Sequence, residues 1–461
     1  MGRGVRIDFR TLFGLHGTVD RRTYLAIGLG LMIAKYIVDA TVIWFSAGVL
    51  WTPWDYLVPL LSTKSRLIAA IPTSVALGLL IWTLPFVWIG VSMMMRRAVD
   101  AGRSPAWCAT FFIPLLNYPA MLWLATLPSV PLRPQVFPYD IESAAERYRS
   151  AIIGAAGALI IGVVAVLISV FVLQTYGVTL FVATPFLQGV VVGWAFNRNA
   201  IKPDGQTSGV VVLSVVLVGG AIALFALEGI LCIAMAFPLA MIVAILGGVV
   251  GRQIAIFGSG ARPSLAAALF VLPAGSVMDR VSGGAPVYEV VTAVDVAAPA
   301  QTVWRHVVTF RDIVREPEWY FRTGIAYPVR ATIEGKGVGA VRRCEFSTGA
   351  FVEPITVWDE PWRLGFDVIA QPPPMTELTI YSKVYAPHLN GYFRSSRGEF
   401  RLITTAKGTR LEGHTWYSVD INPQGYWRAM SDLLLHRIHQ RVLEQVKHEA
   451  EAEAFARIDA S

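Results

Sequence analysis

The sequence predicts a multi-spanning α-helical membrane domain followed by a water-soluble α+β domain. The chain of 461 residues is 54% hydrophobic and only 15% charged, and its mean hydropathy is +0.53. This composition is too apolar for an ordinary soluble protein of the same length. Most charged residues lie in the first 25 positions, in short loops or after Asp279, so the two parts of the chain are suited to different solvents.

Charge, cysteine and histidine content narrow the possible functions. The formal net charge of +7 is typical of the cytoplasmic loops of membrane proteins, and we expect no nucleic-acid partner. The cysteines Cys108, Cys232 and Cys344 are far apart and predict neither a disulfide framework nor a metal site. His436 and His439 lack a nearby carboxylate or cysteine, so a solvated helix face is the simpler interpretation. We therefore expect no metal and no cofactor.

Six apolar windows are long enough to cross a bilayer, since about 30 Å of hydrocarbon takes roughly 20 residues of helix. They span residues 24–50, 67–93, 151–173, 178–196, 210–227 and 230–250. Each is predicted to be helical because lipid offers backbone groups no other hydrogen-bond partner. We predict a first transmembrane domain at 1–128, a polar connector at 129–150 and a second transmembrane region at 151–274.

A further apolar window, 105–127, leaves the number of crossings open. Pro114, Asn117 and Pro119 interrupt it, so it is either a kinked span or a re-entrant hairpin. Arginine and lysine flank alternate ends of the six windows, and the positive-inside rule assigns those ends to the cytoplasm. All of them agree if 105–127 does not cross, which places the soluble domain in the cytoplasm, the placement we favour. A crossing there would put that domain outside.

Two intramembrane features need an explanation because charge in lipid is costly. Lys35 and Asp39 lie four residues apart on one face of the first helix, where an unpaired charge costs at least about 2.5 kcal/mol. They are either a mutually neutralised pair that packs inward or a polar point on a substrate or ion path. Glu228, between two apolar windows, fits a turn residue at headgroup level better than a relay group.

Two arginine-containing motifs flank the first two helices. Residues 17–24 read GTVDRRTY and residues 96–104 read RRAVDAGRS. They resemble the motifs of DUF805, a family of bacterial inner-membrane proteins, although Thr18 replaces an arginine and Ala98-Val99 replace leucine and histidine. The resemblance covers residues 1–128 and implies a location but no activity. It places a charge cluster at the membrane face that holds helix ends together or contacts lipid phosphates. The members of this cluster are Arg21, Arg96, Arg97, Asp100 and Arg103.

The pattern changes after a small, flexible linker at 275–286, and residues 287–461 are predicted to form a soluble domain. Its first strand, 287–296, precedes a short helix at 300–314 that begins after Pro299. Further strands are predicted at 329–333, 339–346, 351–358, 363–370, 377–384, 398–404 and 409–419. A long amphipathic helix at 426–456 closes the domain. One antiparallel sheet with this helix packed across it is the economical arrangement.

The order of these elements and several short motifs resemble the START-like helix-grip superfamily, which includes Bet v 1 and the polyketide cyclase-type proteins (SRPBCC). The motifs are Ala298-Pro299-Ala300 with Val303-Trp304, the turns at 335–340 and 360–366, and Thr409-x-Leu411-Glu412. The resemblance implies that the curved sheet and the long helix enclose a cavity for an apolar ligand. Geometry agrees, because a sheet gripped by one helix leaves volume that side chains or a guest must fill.

The candidate ligand contacts are polar and aromatic residues of the strands together with one residue of the long helix. They are Glu345, Phe351, Glu353, Tyr381, Tyr385, His388, Tyr392, His414, Trp416 and Trp427. Glu353, His388 and His414 are also the candidate general acids or bases, because a buried carboxylate beside a histidine suits cyclisation or hydration chemistry.

Three functions are consistent with these patterns. The leading hypothesis is a membrane-anchored protein whose soluble domain binds a lipid or other hydrophobic small molecule, for transfer or sensing. The second is a membrane-tethered enzyme of the polyketide cyclase or hydratase type, with Glu353 and a histidine as acid and base. The third is a small-solute transporter in which Lys35, Asp39 and the arginine cluster line a path. The sequence leaves the oligomeric state open.

Overall fold

The computed structural model contains two compact units, Met1–Gly283 and Gly284–Ser461, which we call the helical unit and the helix-grip unit. The structure describes residues 9–14, 17–57, 71–112, 116–130, 143–257, 272, 275–277, 279–280, 285–381, 384 and 386–458. Residues 131–142 of the predicted connector and part of the predicted linker lie outside the described residues. The finer domain boundaries within each unit stay predictions.

Nine α-helices of the helical unit lie wholly among the described residues. In chain order they are α1 (Phe9–Phe13), α2 (Arg21–Ala47), α3 (Pro53–Leu57), α4 (Thr73–Asp100), α5 (Asn117–Thr126), α6 (Ala144–Val166), α7 (Thr184–Asn197), α8 (Asp204–Leu224) and α9 (Ile230–Phe257). Residues Pro105–Phe112 form a 3₁₀ helix. The π-helical turns Leu167–Val172 and Thr179–Ala183 follow α6 and precede α7.

Six helices in the described part of this unit are long and apolar enough to cross a membrane. They span Arg21–Ala47, Ser74–Asp100, Ala144–Val172, Thr179–Asn197, Asp204–Leu224 and Ile230–Phe257. Each overlaps one predicted window, and the chain is an integral membrane protein. The ambiguous window 105–127 is divided between the 3₁₀ helix and α5. With 10 residues, α5 is about 15 Å long, half the hydrocarbon thickness.

Side-chain caps explain where two of the spans begin. The Asp20 carboxylate accepts hydrogen bonds from the backbone N–H groups of Arg22 and Thr23, at 2.9 and 3.0 Å, and so caps α2. Ser143 and Glu146 form a reciprocal capping box at the start of α6, which satisfies two backbone donors. As a result, α6 begins inside the predicted connector 129–150.

Glycine lets α7 and α9 pack at backbone contact. A Cβ atom added at Gly193 would collide with the backbone of Gly248, and one added at Gly251 would collide with the backbone of Val190. Small residues permit this close approach between membrane helices. The span that contains α7 is accordingly the most enclosed, with 72% of its apolar window buried against 17–33% for the other five spans found among the described residues.

The described strands of the helix-grip unit form one seven-stranded antiparallel sheet. The elements are β1 (Val287–Val296), α10 (Ala300–Val308), β2 (Pro328–Glu334), β3 (Val341–Phe346), β4 (Gly349–Asp359), β5 (Arg363–Asp367), β6 (Phe393–Thr405), β7 (Gly408–Val419) and α11 (Gln424–Ile458). The strand order is β1-β7-β6-β5-β4-β3-β2. The long helix α11 packs on one face of this sheet, so the predicted α+β helix-grip class is confirmed.

Two predicted elements of this unit are wrong. The described residues of 377–384 form no strand, because β5 already pairs with β4 on one side and β6 on the other and leaves no position between them. The helix predicted at 300–314 ends at Val308. It ends there because Phe310 joins the sheet edge through two backbone hydrogen bonds with Ala331.

The core of the helix-grip unit lies between the sheet and the helices α10 and α11. Its most enclosed members, each 0% exposed, include Val303, Val307, Leu364, Leu411, Leu443 and Val446. Burial of one such side chain stabilises the fold by about 1.5–3 kcal/mol. This cluster therefore anchors the C-terminal half of α11 on the sheet.

Candidate ligand site of the helix-grip unit

Strand alternation divides the sheet into a face that contacts α11 and an opposite, outer face. On β3 and β4, Arg342 lies opposite Glu353 and Cys344 lies opposite Phe351. Cys344 and Phe351 both pack into the core beneath the helices, so all four side chains belong to the helix-facing side. Phe351 and Glu353, both predicted ligand contacts, thus lie in the interior.

Three aromatic rings on the helix-facing side are only partly buried. Phe346, Phe351 and Phe400 pack against the core, yet each keeps part of its surface exposed. Phe400 lies on β6, between β5 and β7, so its exposed surface faces the space between sheet and helix and not a sheet edge. A fully packed interior leaves no such surface. These three rings therefore keep apolar surface that the core packing does not cover.

A buried ion pair lies beside aromatic rings of the helix-facing side. Arg342 and Glu353 form a salt bridge with only 2% and 5% of each residue exposed. The Arg342 guanidinium lies 5.5 Å from the centre of the Phe366 ring and 5.6 Å from that of Phe400, which is a cation–π distance. Removing two charges from water is costly unless they are closely paired. The pair thus brings polar groups into an otherwise apolar interior.

Burial changes the acid–base properties of these groups. Burial raises the pKa of Glu353 above the usual carboxyl range, and the Arg342 guanidinium opposes that rise. Burial also raises the pKa of Cys344 to about 12, so its thiol stays protonated and is a poor nucleophile at neutral pH. Glu353, a predicted acid or base, is therefore paired with Arg342, whose guanidinium stays positively charged.

Two loops of this unit expose apolar side chains. We call loops 311–327 and 368–392 the apolar lip. They are joined by backbone hydrogen bonds from Ala326 N–H to the Pro374 carbonyl, at 3.0 Å, and from Thr376 N–H to the Gly324 carbonyl, at 2.8 Å. The most exposed apolar residues described in the lip are Val314 (92%), Trp319 (76%), Ile369 (70%) and Ile380 (68%). Exposed apolar surface of this kind marks contact with a ligand, a partner or a membrane.

Arg441 ties the first lip loop to α11. Its guanidinium donates to the backbone carbonyls of Arg315 and Glu316, at 2.7 and 3.3 Å, and lies 3.4 Å from the Glu318 carboxylate. Only 3% of Arg441 is exposed. The first loop of the apolar lip is therefore fixed against α11.

Two predicted ligand contacts on β7 lie on the outer face and not in the interior. The hydroxyl of Tyr417 donates to Asp432 of α11 at 2.5 Å, so strand alternation turns His414 and Trp416 away from the helix. The two rings stack with centres 5.8 Å apart, and His414 Nδ1 lies 2.8 Å from the Glu289 carboxylate. His414 therefore does not form an acid–base pair with a helix-facing carboxylate.

Glu345 is a third correction of the same kind. It lies between the helix-facing Cys344 and Phe346 and therefore points to the outer face. There its carboxylate lies 2.9 Å from the Arg330 guanidinium, and both side chains are substantially exposed. The pair is a surface salt bridge between neighbouring strands.

Four predicted contacts fall in the second lip loop. His388 is 6% exposed, and its Nε2 lies 3.1 Å from the Glu377 carboxylate. Tyr381 is 44% exposed and belongs to the surface of the lip, and Tyr392 is partly exposed just before β6. Tyr385 lies outside the described residues. The remaining predicted contact, Trp427, is buried at the start of α11.

The sequence reasoning missed a polar network under the start of α11. The Tyr288 hydroxyl donates to the Gln424 side chain at 2.7 Å, and the Arg428 guanidinium lies 4.6 Å from the centre of the Tyr288 ring. Asp432, which accepts from Tyr417, completes the group, and all five residues are buried. The available signal was the spacing of Arg428 and Asp432, four residues apart on one helix face.

Histidines of α11 hydrogen-bond to threonines of the sheet. His439 Nε2 lies 2.8 Å from the Thr415 hydroxyl, and its Nδ1 lies 3.1 Å from the Thr292 hydroxyl. His436 Nδ1 also lies 2.8 Å from Thr292. Burial, together with His436 and His414 nearby, lowers the pKa of His439 to about 3, so the ring is neutral at physiological pH. Of the two histidines predicted to lie on a solvated helix face, His436 is exposed, whereas His439 contacts β1 and β7.

In the helical unit, the predicted intramembrane charges are paired. Lys35 and Asp39 form a salt bridge within α2. The Lys35 ammonium also lies 5.8 and 5.7 Å from the ring centres of Tyr56 and Phe86, which stabilises a cation by cation–π attraction. The two charges neutralise each other, as expected for a paired structural role and not for a point on an ion path.

Three members of the predicted arginine cluster hold helix ends together. Arg97, 0% exposed, pairs with Asp100 and donates to the Leu124 carbonyl at 3.1 Å. Arg96 donates to the Gly14 carbonyl at 2.7 Å. Cations favour the carbonyl ends of helices, so Arg97 joins the C-terminal ends of α4 and α5.

The other two members of the cluster lie nearer the surface. The Arg103 guanidinium lies 5.5 Å from the centre of the Trp123 ring, and Arg21 is exposed. Of the two roles predicted for the cluster, the clamp between helix ends is the one its contacts show. Contact with lipid phosphates stays a prediction for Arg21 and Arg103.

Comparisons with known proteins yielded structural likenesses alone. No family model matches the chain, and no curated protein matches it, so the DUF805 resemblance stays a prediction. An aromatase/cyclase from Streptomyces sp. R1128 is similar to this chain, with 18% identity and a TM-score of 0.25. The similarity covers 36% of this chain and 94% of the aromatase/cyclase. Truncated norcoclaurine synthase from Thalictrum flavum is similar over the same shares, with 12% identity and a TM-score of 0.23. Likenesses this remote do not distinguish a binding protein from an enzyme.

Proposed function

We propose that the protein binds a lipid or other hydrophobic small molecule inside its helix-grip unit, for transfer or sensing at the membrane. The observation that carries this proposal is the partial exposure of the helix-facing rings Phe346, Phe351 and Phe400. Leaving apolar surface in contact with water costs about 25 cal/mol per Å². An apolar guest that covers the three rings is therefore stabilised.

The neighbouring ion pair supports a ligand with one polar end. Binding sites for small molecules are mostly apolar and contain a few placed polar groups that fix orientation. Arg342 and Glu353 are such groups, held in place by each other and by the rings of Phe366 and Phe400. The hydrocarbon part of the ligand would lie on the aromatic rings, with its polar end near the pair.

The membrane anchor supports the same function on physical grounds. A hydrophobic ligand partitions into the bilayer, and a receiver attached to membrane spans meets it at a high effective concentration. The apolar lip carries Trp319 and Ile380, exposed by 76% and 68%, and tryptophan favours the membrane–water interface. We infer that the ligand passes into the interior between the lip and α11.

An enzyme of the cyclase or hydratase type is the second candidate. It is favoured by the raised pKa of the buried Glu353 carboxyl group, a frequent property of catalytic acids. Replacing Glu353 with glutamine would then abolish conversion of a substrate that the folded variant still binds. The transporter hypothesis is weakened, since Lys35 and Asp39 neutralise each other and Arg96 and Arg97 bind helix ends.

The proposed site of action is the cytoplasmic face of a bacterial inner membrane. With six crossings, the loop charges at Arg96, Arg147, Arg198 and Arg252 fall on the same side as the arginine-rich N-terminus. The positive-inside rule assigns that side to the cytoplasm. The chain that follows the sixth span, and with it the helix-grip unit, would then be cytoplasmic.

Binding can be measured by titrating the full-length protein in lipid nanodiscs with a fluorescent long-chain fatty acid, read by energy transfer from tryptophan. Phe351→Trp adds volume to the interior, and we expect it to weaken saturable binding by about tenfold, as overpacking costs 1–3 kcal/mol. Thr356→Trp places the same ring on the exposed side of the same strand and should keep the wild-type affinity. Equal affinities of the two variants, or no saturable binding by the wild-type protein, would contradict the proposal.

A further inference from the structure

The helical unit contains a cavity of about 120 Å³ between its last four spans. The lining residues run from Gly162 to Val170 on the span of α6, from Leu180 to Gln188 on the span of α7, from Val215 to Ile222 on α8 and from Cys232 to Ala240 on α9. Along α9 the cavity extends from residue 232 to residue 240, which is about 12 Å at 1.5 Å per residue.

Specific backbone features produce this space. Both π-helical turns, Leu167–Val172 and Thr179–Ala183, contribute to its wall, and π-helical turns are frequent at functional sites. Pro238 interrupts the hydrogen-bond ladder of α9 within the same stretch. Deeper in the bundle, beyond Gln188, the contact of Gly193 with Gly248 brings α7 and α9 together. The close packing of α7 against α9 therefore bounds the cavity on this side.

The lining is mostly apolar and has one polar end; of its other polar members, Thr184 donates to the Thr179 carbonyl and Gln188 to the Ala158 carbonyl. Hydrocarbon side chains such as Ile222, Ile233 and Phe237 form most of the wall. The polar end holds Tyr176 and Glu228, and the Tyr176 hydroxyl donates a hydrogen bond to the Glu228 carboxylate. Both residues are almost fully buried. One end of a guest would thus meet hydrogen-bonding groups, and the rest would meet hydrocarbon.

We propose that this cavity binds a single hydrocarbon chain with an uncharged hydroxyl head, such as a long-chain alcohol from the bilayer. An engineered apolar cavity of about 150 Å³ holds benzene, so a space of about 120 Å³ accommodates a segment of one hydrocarbon chain. The hydroxyl can exchange hydrogen bonds with Tyr176 and Glu228. A carboxylate head has no proton to donate to the Glu228 side chain, which accepts from the Tyr176 hydroxyl, so the site favours the alcohol. The site lies wholly within the helical unit and does not depend on ligand binding by the helix-grip unit.

Photo-crosslinking of the full-length protein in nanodiscs tests the site. The probe is a long-chain alcohol with a diazirine near the end of its chain, and the labelled residues are mapped by peptide mass spectrometry. Wild-type protein should be labelled at cavity residues, and an excess of the unlabelled alcohol should suppress the labelling. Ala236→Phe fills the cavity and should reduce labelling by about tenfold. Ala234→Phe adds the same ring at an exposed position of α9 and should leave labelling unchanged.

Three results would overturn the proposal. The first is equal labelling of the two phenylalanine variants, with both shown to be folded by their thermal unfolding. The second is labelling that an excess of unlabelled alcohol fails to suppress, since that describes bulk lipid contact. The third is equally strong labelling of cavity residues by a fatty acid with the same chain and diazirine, because it removes the role assigned to Glu228.

Discussion

At the scale of single residues, the buried charges are each stabilised by a different kind of partner. Arg342 is held by the Glu353 carboxylate and aromatic rings, whereas Arg97 is held by Asp100 and helix-end carbonyls. The sequence was sufficient to predict Glu353 as an interior residue, because strand alternation depends on spacing alone. It was not sufficient to predict Arg342 as its partner, because pairing depends on the register between β3 and β4.

The ion pair predicts a large loss of stability when one partner is removed. Glu353→Gln leaves the Arg342 charge buried without its counter-charge, and we expect the free energy of unfolding of the helix-grip unit to fall by about 3 kcal/mol. Glu345→Gln breaks the exposed pair with Arg330 on adjoining strands and should cost less than about 1 kcal/mol. Urea unfolding of the full-length protein measures both. Similar losses in the two variants would show that the Arg342–Glu353 pair is not effectively buried.

His439 predicts a dependence of stability on pH. Its pKa is about 3 in the folded protein and 6.5 in the reference state, so between these values the unfolded chain binds a proton that the folded one does not. The stability contributed by the neutral ring is therefore present above about pH 6.5 and is lost as the pH falls toward 3. His439→Gln should flatten this acid limb of the unfolding curve. His448→Gln, at an exposed position of the same helix, should retain it, and an unchanged limb in His439→Gln would refute the assignment.

At the scale of elements, the sequence predicted long periodic segments correctly. It did not predict segments whose conformation depends on contacts with residues distant in the chain. The six spans and α11 were predicted because composition and periodicity act within each segment. The residues at 377–384 resemble a strand in their alternation, but Leu378 and Ile380 are exposed because the sheet closes directly from β5 to β6. The end of α10 was also missed, because it is decided by the distant Ala331.

The contact between α7 and α9 predicts that a single methyl group is disruptive at one glycine and harmless at another. Gly193→Ala places a Cβ against the Gly248 backbone, and we expect a loss of about 1–3 kcal/mol from overpacking. Gly220→Ala meets no atom within 4 Å and should be neutral or slightly stabilising, because alanine favours helix. Thermal unfolding in detergent compares them. A loss no greater for Gly193→Ala than for Gly220→Ala would mean that the two helices do not pack at backbone contact.

At the scale of the whole molecule, the fold class followed from composition, whereas the site followed only in part. Apolar and charged residues separate along the chain, and that separation alone predicts a membrane part and a soluble part. The interior position of Phe351 and Glu353 was predicted, but His414 and Trp416 were placed on the wrong face of β7. Face assignment required the contact between Tyr417 and α11, which the sequence does not contain.

The count of six spans predicts that the N-terminus and the helix-grip unit share the cytoplasmic side. Val338→Cys introduces a thiol at a position that is 69% exposed, in a background where Cys108 and Cys344 are buried. A membrane-impermeant maleimide should label it after the cells are opened and leave it unlabelled in intact cells. Labelling in intact cells would require an additional crossing, for which 105–127 is the candidate.

The most direct test of the account is native mass spectrometry of the full-length protein purified in detergent, with identification of the apolar molecules released from it. The account predicts a bound hydrophobic molecule that Phe351→Trp loses and that both Thr356→Trp and Ala236→Phe retain. Wild-type protein without any such molecule, or a molecule retained by Phe351→Trp, would contradict the claim that the helix-grip interior binds a hydrophobic ligand.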